Sequence, residues 1–177
     1  MTLLPKILKE ERTKIIIFTI LMVAISVAQV LLWPTFTKMI PALKEMVPKM
    51  FSWVVEGLVD DGFIYFLITQ QMIKNVGMFG GFLAILLGAS AISKELENGT
   101  MAHLLAQPIS RDRVVLEKFI LGAAALFLPV MLSTVLASPL APVINEELDF
   151  IYMAYSGVFS YLIVLNIYSF VFLVGLF

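Results

Sequence analysis

The residues able to make or break bonds are few, and their spacing excludes most catalysis. His103 is the only histidine and there is no cysteine. That removes clustered-histidine and thiolate metal sites, disulfides and cysteine nucleophiles, and it makes a serine–histidine–carboxylate triad untenable. No Gly-x-x-x-x-Gly-Lys-Ser/Thr run occurs, so the chain has no phosphate-cradling loop with which to hydrolyse ATP. Its ten methionines read as gap-fillers in apolar helices rather than as soft-metal ligands. A net charge of -1 without a basic tract points away from nucleic acid. No catalytic residue, metal or resident cofactor is expected on this chain.

The most polar stretch runs from Lys94 to Lys118. A helix arriving from upstream can continue to Glu97, where Gly99 permits the left-handed turn that stops it. Thr100 can cap a short new helix, Met101 to Gln107, which Pro108 closes. Ser110 caps the next helix, with Asp112 near its positive end. The short helix presents Met101, Leu104 and Leu105 on one side and His103 and Gln107 on another. A plain connector and a partner-docking element both fit this pattern.

The elements that must position this stretch are membrane helices. The chain has 177 residues, 60% of them hydrophobic and 14% charged, with a mean hydropathy of +0.99. Soluble domains are about 45–50% apolar and about 25% charged. The pattern predicts an all-α integral membrane protein with about four membrane-crossing helices in one domain, residues 1–177. The spans are expected near residues 15–33, 72–92, 119–136 and 150–170. Ile15–Trp33 is longer than a signal-peptide core and lacks a small-x-small cleavage site, so it reads as a retained helix. Pro34 is expected to end it and Pro129 to kink the third span. Gly80, Ala84 and Gly88 form a small-xxx-small row in the second, suited to close packing within one subunit or along a dimer seam. Phe150–Phe177 carries no charge and exceeds one span, so the chain is expected to continue past Phe177.

Residues 1–14 form an amphipathic lead-in suited to lying along the membrane surface. Residues 34–71 read as an amphipathic helix broken by Pro41 and Pro48, lying in the interface or forming an extramembrane cap. No charge falls within the four apolar runs counted from Ile15, Val76, Phe119 and Phe150, so a proton- or sodium-driven device is not expected. Asn166 is their most polar deep residue and reads as an interhelical hydrogen-bonding group. Lys6, Lys9, Arg12 and Lys14, and then Lys94, Arg111, Arg113 and Lys118, place the N-terminus and the 94–118 stretch in the cytoplasm, since the 138–149 connector has no basic residue.

The arrangement of Glu95, Gly99-Thr100, Leu104-Leu105, Pro108, Ser110-Arg111 and Lys118, between second and third spans, resembles the permeases of type-2 ABC transporters. The resemblance is carried by residues 94–118 together with the order of the spans. It implies that 94–111 is a cytoplasmic coupling helix seated on a separate ATP-binding cassette ATPase subunit, which holds ATP and Mg. It also implies an exporter built as a homodimer or pseudo-dimer of permeases in the cell membrane among lipids, with six spans per permease against the four here. A non-transporting membrane anchor and part of a secondary transporter are the alternatives. The substrate is not legible.

Overall fold

A chain segment in lipid has no water to satisfy its backbone, so long apolar runs close their hydrogen bonds internally as helices. The computed structural model describes residues 4–49, 56, 58, 62–97 and 111–176. Among the described residues the structure is all helical, and four stretches are long and apolar enough to cross a bilayer: Glu11–Thr37, Gly62–Ala91, Asp112–Ile144 and Phe150–Val174.

Helix α1, Leu4–Thr37, absorbs the basic lead-in. The lead-in is therefore a continuation of the first span and not a separate surface helix. At 1.5 Å per residue its 34 residues make about 51 Å, more than the roughly 30 Å hydrocarbon core requires. Nor does Pro34 end this helix. It lies in the last turn, where Thr37 Oγ1 donates to Pro34 O at 3.0 Å and satisfies one terminal carbonyl. A short helix α2, Ile40–Met46, follows with Pro41 in its first turn and none of its residues buried. Val47 is extended, as the residue before Pro48 must be.

The second long helix starts ten residues before the expected 72. It comprises α3 (Gly62–Thr69), a π-helical segment (Gln70–Gly80) and α4 (Gly81–Glu97), without a break. Residues 62–71 thus leave the amphipathic segment and join the bundle. Gly62 opens the helix at φ +49, a backbone state that a side chain would strain. Helix α5, Arg111–Val135, contains Pro129. After it, α6 (Ala137–Leu140) and a 3-10 turn (Ala141–Ile144) continue inward-facing where a plain connector was expected, because Ala137, Ser138 and Ala141 are small enough to be buried. Asn145, at φ 58, ends the turn. Helix α7, Phe150–Val174, begins with Asp149 Oδ1 accepting from Ile151 N at 2.8 Å.

The four long helices share two apolar cores, one toward each end. Met22, Val76, Leu83, Leu126, Val130, Val164 and Tyr168 belong to the first, at the end that carries the basic residues. Val30, Trp33, Phe63, Phe66, Ala137 and Met153 belong to the second, the aromatic end. There Trp33 Nε1 donates to Glu146 Oε1 at 2.8 Å, a wet tip on an apolar body. Outward faces are equally apolar: Ile20, Phe159 and Phe170 are each more than 60% exposed, which suits contact with lipid.

Candidate functional site

Two groups of polar side chains stand out against this apolar background. One surrounds the helix ends that flank residues 98–110. Glu95 lies on the last turns of α4, and Arg111 is the first residue of α5. Gly99, Thr100, Leu104, Leu105 and Pro108 lie outside the described residues, as does the expected helix 101–107. The two flanking helices are tied directly: Lys118 Nζ donates to Ala91 O at 2.7 Å. Ser90 Oγ donates to Glu11 Oε1 at 3.2 Å, and Lys14 pairs with Glu11 at 2.9 Å. Glu11 and Lys118 are each only 8% exposed. Charges that dry are retained where partners hold them in register. These contacts join α1, α4 and α5 near the helix ends that flank residues 98–110.

The small-residue row faces the same chain. A Cβ built at Gly80 lies 3.1 Å from Val164 Cγ2, and one at Gly88 lies 3.0 Å from Val171 Cγ1 and 3.2 Å from Phe172 N. Ala84 is fully buried between them in the first core. These positions let the end of the π segment and α4 approach α7 closely, where lipid offers no hydrophobic drive and contact area decides packing.

The other polar group lies between the two cores. On the second long helix, Gln71 and Asn75 are 1% and 0% exposed. Asn75 Nδ2 donates to Met22 O at 2.9 Å and to Gln71 Oε1 at 3.0 Å. Gln71 Nε2 donates to Ser133 Oγ at 3.3 Å and to Thr134 Oγ1 at 3.4 Å. Both hydroxyls donate in turn to Val130 O. Ser26 on α1, and Ser156 and Ser160 on α7, occupy the same interval between core residues of their own helices and are buried. All four long helices therefore contribute to one polar layer, and the π segment passes through it. Unpaired amides in hydrocarbon cost several kcal/mol each, so Gln71 and Asn75 are held inside by their partners.

This layer was missed from sequence. Its signal was the pair Gln71 and Asn75, spaced four apart on one helical face, which a boundary at residue 72 divided between two elements. Asn166, by contrast, faces outward on α7, and Gln71 and Asn75 carry the interhelical bonds assigned to it. Lys74, just before the charge-free run counted from Val76, lies in the middle of the second long helix. Among the described residues no cluster of histidine, aspartate and glutamate able to hold a metal occurs.

No curated protein and no solved structure matches the chain. A family model does, over residues 9–177; its description is ABC-2 family transporter protein.

Proposed function

The chain belongs to the ABC-2 transporter family and is a multi-pass membrane permease, and from that premise we propose that it serves an ATP-driven exporter. Coupling runs through residues 94–111 to a separate ATP-binding subunit that carries ATP and Mg and performs the hydrolysis. Two permeases, identical or related, form the passage. The N-terminus and residues 94–118 face the cytoplasm of a cell membrane, and residues 34–49 and 145–149 face outward.

One observation supports the coupling role above others: the helices flanking 98–110 are fastened by Lys118 to Ala91 O and by Ser90 to Glu11. A free connector has no need of such an anchorage. Glu95 and Arg111 fix the two ends of the docked segment, Gly99 and Thr100 turn and start its helix, and Leu104 and Leu105 fill a pocket on the ATPase before Pro108 closes it. Truncating a buried Leu costs about 2–5 kcal/mol in a well-packed site, and an interface anchor loses a sizeable part of that. Leu105→Ala is expected to weaken ATPase association at least about tenfold, which needs only 1.4 kcal/mol. Pull-down of the ATPase and stimulated ATP hydrolysis in the reconstituted complex measure this. Wild-type behaviour in both assays refutes the coupling role.

A further inference from the structure

Lys74 is the one charged residue away from the ends of the four apolar stretches. Its depth is fixed by its neighbour. Asn75 donates to Met22 O, and Met22 lies midway between Glu11 and Trp33 on α1. Eleven residues each way put both ends about 16 Å off. A lysine stem reaches about 6 Å along a helix, too short to bring the ammonium to either end. Yet the side chain is exposed on the outside of the bundle and has no ion-pair partner among the described residues.

A charge at that depth cannot rest in hydrocarbon; such groups face a water-filled cavity or a partner group. The face it occupies is itself notched. Ile64, Tyr65, Ile68 and Thr69 line a groove of about 360 Å³ just toward the aromatic end. Tyr65 and Thr69 are four apart on α3, and Thr69 and Lys74 are five apart across the start of the π segment. The wider π repeat thus carries the line of side chains from the groove onto Lys74. Two hydroxyls and an ammonium follow one another down an otherwise apolar surface.

We propose that Lys74 lines an aqueous passage on this face and binds the anionic group, a phosphate or carboxylate, of the molecule that occupies it. An ammonium with hydroxyls above it and no acid beside it among the described residues attracts anions and repels cations. The proposal deepens the permease reading by naming a substrate class. Its test needs neither nucleotide nor ATPase, so it fails or stands separately from the coupling role.

The chain has no cysteine, so Thr69→Cys and the 80%-exposed Met46→Cys give single reporters in phosphatidylcholine proteoliposomes. Each is reacted with an anionic sulfonatoethyl and a cationic trimethylammonium-ethyl methanethiosulfonate. Relative to Met46→Cys, Thr69→Cys is expected to favour the anionic reagent by at least about tenfold. Adding Lys74→Gln abolishes that preference, and Lys74→Arg keeps it. Slowing of the anionic reagent by phosphatidylglycerol identifies a lipid headgroup as the occupant, and slowing by inorganic phosphate identifies a soluble anion. No modification at Thr69→Cys while Met46→Cys reacts means the face is dry, and the proposal falls. It falls equally if the preference is absent, survives Lys74→Gln, or responds to neither competitor.

Discussion

Gly122 and Gly81 show how differently two glycines can be constrained in helices of one bundle. A Cβ at Gly122 would overlap the Tyr168 ring, which sits there with its hydroxyl near Lys118 O and Phe119 O. A Cβ at Gly81 would find only Ile167 Cδ1 at 3.6 Å, an ordinary contact. Gly122→Ala is therefore expected to destabilise by about 1–3 kcal/mol, the cost of overpacking. Gly81→Ala should be neutral or stabilising by up to about 1 kcal/mol, since alanine favours the helix. Thermal unfolding of both variants in detergent micelles checks the contrast. The amides of the polar layer are coupled, so their removal should not add. Asn75→Leu and Gln71→Leu are each expected to cost about 1 kcal/mol, within the range seen for interhelical bonds in membranes. The double variant should cost less than their sum by at least about 0.5 kcal/mol, because both lose the same bond between them. Strict additivity would mean that the two amides act independently.

Among the elements, the foot of the 98–110 segment carries the clearest mechanical consequence. Lys118 on α5 holds the α4 carbonyl of Ala91, less than two turns before α4 ends at Glu97. Lys118→Met keeps the apolar stem and loses the bond. It is expected to reduce ATPase-stimulated transport more than it reduces binding of the ATPase, since the docking residues themselves are untouched. Gly99→Val should do the reverse, blocking the left-handed turn and swinging the segment away. Comparing pull-down with hydrolysis in the two variants separates transmission from docking; loss of binding in both would assign Lys118 to the docking surface itself. The π segment adds a further property at this scale. Its wider turns give each residue less angular shift than an α-helix, and within them Gln71 and Asn75 face inward while Lys74 faces out.

At the scale of the whole molecule, two apolar cores are stacked along the bundle with a polar layer between them. The basic end carries the segment assigned to the ATPase, and the aromatic end carries the Trp33–Glu146 contact. If the basic end is cytoplasmic, single cysteines at Ser52 and Asn98 should react with an impermeant thiol reagent from opposite sides of sealed vesicles. Reaction of both from one side would contradict the single crossing between them and end this topology.

Charge and apolar runs alone sufficed for the all-α membrane class and the four crossing stretches. They were enough because hydrocarbon rejects unpaired backbone and charge over any 20-residue window, a constraint that acts locally along the chain. The same constraint hides which side of each helix is inside. Lipid and protein core are equally apolar, so α1, α5 and α7 carry no hydrophobic phase to read, whereas a soluble helix would. Only packing decided that Pro34 stays helical, that residues 62–71 join the second long helix, and that Asn166 faces out while Gln71 and Asn75 face in. It did so because an amide counts as tolerable in the bilayer only once its partner is known, and Met22, Ser133 and Thr134 come from helices far away in sequence.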